Sequence, residues 1–188
     1  PMKHFNSIVI TGASSGIGLA AARVGAFRPQ AVSNSLWAFA KLGYSPGHGV
    51  LDAVAAHDPS HPLVVTHTGV SAVHPHWRNL DDEQLRAVAD TGGTIGVMYQ
   101  GSFLGDTRFT YPASWIVRHL EHICETVGDD HASLGSDWDG AVVTPVDMPT
   151  CLELPRLVQL MLDRGFSPEL VQKILGANFL RVVETLRG

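Results

Sequence analysis

From Pro62 onward the chain repeats one rhythm three times, a short apolar run, a loop and then a stretch with apolar residues at helical spacing. This rhythm predicts strands over 62–66, 94–99 and 132–136, alternating with helices over 81–89, 112–127 and 152–164. A final helical stretch over 168–187 is predicted to break near Gly176, since glycine weakens a helix interior. Alternating strands and helices are the signature of parallel βαβ units, whose chemistry gathers at the C-terminal ends of the strands. A full eight-stranded barrel takes ~250 residues. With 188 residues, this chain has room for about half of one. Hydrophobic residues at 45% and charged residues at 16% are enough for a buried core and exclude a disordered chain. No apolar run approaches the ~20 residues of a membrane span. Two cysteines exclude both a disulfide framework and a cysteine-rich zinc site, and a net charge of −5 gives no reason to expect nucleic-acid binding.

The charge is unevenly placed. Residues 1–50 hold Lys3, Arg23, Arg28 and Lys41 and no acid, so all 18 acids and the other nine basic residues follow from Asp52 onward. Such a shift marks a seam between pieces of different character. In the first piece, the apolar run 7–11 predicts a buried strand, and 16–27 a helix that Pro29 stops. Between them lies Thr11-Gly12-Ala13-Ser14-Ser15-Gly16-Ile17-Gly18. Glycines there would let the backbone approach a pyrophosphate at a helix N-terminus. Residues 7–24 resemble the nucleotide-binding start of the short-chain dehydrogenases, which implies cofactor contacts at Gly12, Gly16 and Gly18. The rest of that family's pattern is missing. No acid precedes Asp52 to select a ribose, and Tyr44, Tyr99 and Tyr111 are followed four residues later by His48, Phe103 and Trp115 rather than lysine. Turnover of NAD(P) is therefore not expected, and the segment reads better as a scaffold. Residues 29–46 resemble one helix pair of an octotricopeptide-type RNA-binding repeat. A single copy cannot grip a strand, so a helix packing Leu36, Trp37 and Phe39 into a core is the better reading.

The second piece carries spaced motifs: Thr66-His67-Thr68-Gly69 at a strand end, Arg78-Asn79-Leu80-Asp81-Asp82 opening a helix, Thr91-Gly92-Gly93-Thr94, Leu134-Gly135-Ser136-Asp137-Trp138-Asp139-Gly140, and Leu175-Gly176-Ala177-Asn178. A histidine at a strand's C-terminal end can face a metal, an arginine in the following loop can fork onto a carboxylate, and an aspartate at a later strand end can hold an ammonium or move a proton. Together, residues 48–188 resemble the C-terminal half of the membrane (renal) dipeptidase family of zinc peptidases. The resemblance implies metal-assisted dipeptide hydrolysis, with His67 as a zinc ligand, Arg78 on the substrate carboxylate and Asp137 in substrate contact and proton handling. A second histidine ligand should lie about twenty residues before His67, and His48 is the nearest candidate. The family's His-x-Asp pair and bridging Glu belong to a first half that has no counterpart in this sequence.

The expected fold is α/β, parallel βα units forming half of a TIM-type barrel, with an added N-terminal Rossmann-like βα element. The division falls at 1–47 and 48–188, within one compact unit. The strand at 7–11 is expected to cover one edge of a small parallel sheet. The functional reading is a zinc dipeptidase-like scaffold with an incomplete metal site and weak or no activity. The alternatives are a nucleotide-binding dehydrogenase-like protein and a recombined or engineered chimera with no function of its own. A dipeptide is the expected substrate, no nucleic acid or membrane is expected as a partner, and open strand edges predict homo-oligomers. The apolar stretch after Lys3, broken by glycines and serines, predicts no leader peptide and hence a cytoplasmic protein. His119 and His122 are expected on a solvated helix face, Cys124 as a buried thiol, and Trp77 and Trp138 either flanking the proposed pocket or in the core.

Overall fold

The computed structural model describes residues 8–13, 16–21, 61–105, 110–138, 140 and 142–187; for the first two ranges it describes the backbone alone. Five strands form one sheet: β1 (Ile8–Ala13), β2 (Gly16–Ala21), β3 (Val64–Thr68), β4 (Thr94–Val97) and β5 (Ala132–Leu134), in the spatial order β2-β1-β3-β4-β5. β1, β3, β4 and β5 run parallel. The crossovers run through α1 (Asp82–Asp90) and then through α2 (Gly101–Leu104) and α3 (Ser114–Val127). A 3-10 turn at Cys151–Glu153 leads into α4 (Leu154–Asp163), followed by α5 (Pro168–Gln172) and α6 (Asn178–Arg187). Parallel strands buried on both faces need continuous apolar runs, and Val64, Val65, Ile95, Val97 and Ala132 are all buried.

The strand predicted at 7–11 forms and lies parallel to β3, with Val9 opposite Val64 and Ile10 opposite Val65. The helix predicted from Gly16 does not form. Gly16–Ala21 is a strand antiparallel to β1, with Thr11 opposite Gly18, Gly12 opposite Ile17 and Ala13 opposite Gly16. Two glycines in three residues disfavour the first helical turn, and a tight hairpin satisfies the same backbone groups through a ladder. The Rossmann-like βα element is thus replaced by a hairpin at the sheet edge. The helix predicted within residues 29–46 lies outside the described residues, as does His48.

The later elements follow their sequence signals closely. Asp81 caps α1 by accepting from the Gln84 amide at 2.9 Å, while the Gln84 side chain accepts from the Asp81 amide at 3.0 Å. This reciprocal box ends the Arg78 loop and starts α1 at one point. The C-terminal helical stretch is interrupted where expected. Lys173–Ala177 is a π-type turn, and Gly176 has non-helical torsions. Asn178, 3% exposed, sits just after that break and donates to the carbonyls of Asp129 and Ala132, fastening α6 to the start of β5.

Two glycines shape the strand ends. A Cβ on Gly96 would lie 2.2 Å from the Thr66 carbonyl oxygen, and one on Gly135 would lie 2.0 Å from the same atom. The missing side chains let the end of β3 lean over β4 towards the segment that follows β5. The register between β3 and β4 shifts at that place, between Val65 and Thr68.

Candidate active site at the strand C-termini

The close approach at Gly96 and Gly135 brings the two predicted strand-end residues together. His67 Nε2 lies 3.8 Å from an Asp137 carboxylate oxygen, and the ring's Nδ1 is 2.9 Å from the Thr66 hydroxyl. Asp137 has φ 58°, the one left-handed non-glycine residue among those described. Aspartate tolerates that conformation better than most residues, but it still carries strain, and strain of this kind gathers at functional sites. The turn closes through the Gly140 amide, which donates to the Asp137 carbonyl at 2.9 Å. A Cβ on Gly140 would lie 2.6 Å from the Asp137 carboxylate.

Arg78 reaches the same end of the sheet from the loop after β3. That loop is held by Thr68, whose hydroxyl donates to the Arg78 carbonyl at 3.0 Å, and by Val70 and Leu80, which pair as a bridge. The Arg78 side chain is 3% exposed, and its Nε and Nη2 have no hydrogen-bond partner among the described residues. Burial pulls its pKa down to about 10, against the opposing pull of the Asp137 carboxylate. It therefore stays cationic at neutral pH. The guanidinium rests over the Phe103 ring at 4.6 Å, a cation–π contact that offsets part of its desolvation but uses none of its donors. His76 stacks on Phe103 at 4.5 Å, and its pKa is lowered by burial and then by Arg78 and His74.

Beside Asp137 opens a cleft of about 610 Å³ lined by Ser136, Asp137, Trp138, Pro149, Thr150 and Cys151. Trp138 packs edge-on against Tyr99 at 5.1 Å, whereas Trp77 is 52% exposed, outside the core. The loop around Trp77 is held by the Asn79 amide on the His76 carbonyl and by the Asn79 side chain on the His74 carbonyl, and the indole itself meets only the His76 ring at 5.7 Å among the described ring contacts. Cys124 is half-buried, with burial pushing its thiol up to about 12.

His119 is also placed differently from the expectation. It is fully buried, accepting from the Val70 amide through Nδ1 at 2.9 Å and facing the Leu104 carbonyl with Nε2 at 3.0 Å. The signal for this was present in the sequence. Ile116, His119, Leu120 and Ile123 recur at i, i+3, i+4 and i+7, which puts the histidine on the apolar stripe of α3. His122 does reach solvent, where it meets Asp82 at 2.8 Å.

Gly12, Gly16 and Gly18 lie in the hairpin ladder. The helix N-terminus on which a pyrophosphate would sit is not formed at that place, so these glycines do not make the predicted cradle. For a metal, the described residues at the strand ends offer one imidazole, His67, and one carboxylate, Asp137. Among the described residues no three His, Cys, Asp or Glu side chains are grouped to hold an ion. A catalytic zinc takes at least three protein ligands, so these two donors do not by themselves fit one.

The described site is thus a histidine, an aspartate and a buried arginine gathered at the C-terminal ends of the parallel strands of an α/β sheet. Residues 49–187 match the model of the membrane dipeptidase family, peptidase family M19, and the chain belongs to that family. A Klebsiella pneumoniae protein, named the uncharacterized protein in the pqqA 5' region, is 38% identical over 134 residues, covering 70% of this chain and 49% of its own. The dipeptidase ataJ of Aspergillus terreus is 35% identical over 126 residues, covering 65% and 30%. Among solved structures, a metallopeptidase from Rhodobacter sphaeroides, liganded with a phosphinate mimic of the dipeptide L-Ala-D-Ala, superposes with a TM-score of 0.69 at 26% identity. That superposition covers 93% of this chain and 48% of the other. The metallopeptidase dipeptidase AC, also of family M19, gives 0.68 at 26% identity, covering 93% and 50%. The chain spans about half or less of the length of each of these relatives.

Proposed function

We propose that residues 61–187 form the substrate-holding side of a zinc dipeptidase site, with an incomplete metal side and therefore weak or no hydrolysis by this chain alone. The observation that carries the reading is Arg78. A buried guanidinium with unpartnered donors costs a fold several kcal/mol unless an anion completes it. The terminal carboxylate of a dipeptide has the charge and the forked geometry to do so. The phosphinate mimic bound by the Rhodobacter relative supports a dipeptide as the ligand class.

In this reading Arg78 binds the substrate carboxylate, and Asp137, across the site, holds the ammonium or moves a proton at the scissile amide. His67 is one ligand towards zinc. His48 is the candidate for a second and lies outside the described residues.

The test is calorimetric titration with Gly-Leu and with its C-terminal amide. The chain should prefer the free acid by about 10- to 100-fold, the range expected of a charge-assisted pair. Arg78→Gln should remove that preference. Equal binding of acid and amide by the unmodified chain, or a preference that survives in Arg78→Gln, would sink the reading.

A further inference from the structure

Arg78 lies on the loop after β3, and the ring beneath it, Phe103, lies on α2. A guanidinium is useful to a carboxylate only if its plane is fixed, so something must lock the loop to that helix. Two buried polar side chains outside the site bridge these segments. Asn79, 6% exposed and next to Arg78, donates from Nδ2 to the Phe103 carbonyl at 2.6 Å and to the His74 carbonyl at 2.8 Å. His119 takes the Val70 amide of the loop on one ring nitrogen and faces the Leu104 carbonyl of α2 with the other.

We infer that His119 is a positioning residue, a bridge from α3 that locks the Arg78 loop to α2 and, together with Asn79, keeps the Phe103 ring under the Arg78 guanidinium. The proton assignment follows from the partners. Nδ1 faces an N–H donor and must be bare, so the proton sits on Nε2 and donates to Leu104. Burial, which lowers the His119 pKa to about 4, keeps the ring in that neutral form. A hydrophobic residue in this place would fill the space equally well. It would also leave both the Val70 amide and the Leu104 carbonyl buried without this partner.

The inference rests on the assignment of Arg78 to the substrate carboxylate, and its test separates the two. The first readout needs no ligand: the Arg78 Nε–H resonance, identified by its loss in Arg78→Lys. A ring current from Phe103 places it upfield of the ordinary arginine position. His119→Gln keeps a donor near Leu104 and loses the acceptor for Val70, and His119→Asn does the reverse. Each should leave a cooperative melt and return the resonance towards the ordinary position. His119→Leu should do the same if it folds. The second readout is the preference for Gly-Leu over its amide, which should fall from about tenfold or more to about twofold or less in these variants. A general loss of stability would weaken acid and amide alike and leave their ratio unchanged. Folded His119→Gln and His119→Asn proteins with the resonance in place and the ratio intact overturn the inference. If Arg78→Gln also leaves the ratio intact, the substrate-side reading fails instead, while a moved resonance still assigns the positioning role.

Discussion

Asp137 and His119 show how single residues carry opposite demands in this chain. Asp137 holds a left-handed backbone in order to aim its carboxylate at His67. Replacing it with glycine removes both the strain and the acid. Asp137→Gly should therefore melt higher, by about 1 kcal/mol in stability, and bind Gly-Leu more weakly while keeping the preference for the free acid over the amide, which rests on Arg78. Calorimetric melts of the two proteins check this. His119 is an imidazole whose pKa falls from its ordinary value to about 4 on folding, chiefly through burial. The folded state thus binds fewer protons than the unfolded chain between pH 6.5 and 4. His119's contribution is complete above pH 6.5 and is lost as pH falls towards 4, by about 3 kcal/mol. Urea midpoints at pH 7 and pH 4.5 should show that loss, and His119→Gln should show a shallower one. A wild-type slope no steeper than the variant's would contradict it.

At the scale of elements, the strand ends depend on what is missing from Gly96 and Gly135. Gly135→Ala would drive a Cβ into the Thr66 carbonyl, so β3 must retreat and take His67 with it. A loss of about 2 kcal/mol in urea unfolding is expected, in the range for overpacking a tight contact. Asp81→Ala should cost about 1 kcal/mol by removing the α1 cap, with no change at the site. Much of this level was legible in the sequence. The three strands after Pro62, the Asp81 cap and the break at Gly176 all follow from periodicity and cap chemistry. The glycine-rich start was misleading, because a strand followed by Gly-x-x-x-Gly-x-Gly can turn into a hairpin as readily as into a helix. His67, Arg78 and Asp137 were singled out through the motifs that resemble the dipeptidase family, and the structure brings His67 and Asp137 to 3.8 Å of each other. The contacts that hold Arg78 were not, since Phe103, Asn79 and His119 are brought to it by packing between separate elements rather than by any local pattern.

At the scale of the whole molecule, the sheet formed by the described residues runs from β2 on one side to β5 on the other, and no described helix is long and apolar enough to cross a membrane. Leu175 on the π-type turn and Phe179 and Leu180 at the start of α6 are exposed. Apolar side chains exposed in this way favour association, and a two-fold pair is the simplest closed form. Light scattering after gel filtration should give twice the chain mass of 20.2 kDa, and a mass of one chain would contradict the pairing. At the site, the proposed substrate side lies within residues 61–187, while the described residues group too few donors to hold a metal ion. Zinc content after loading and desalting, measured by mass spectrometry alongside His67→Ala, tests it most directly. Zinc well below one ion per chain, unchanged by the substitution, is the predicted result. Zinc near one ion per chain that disappears in His67→Ala would contradict it.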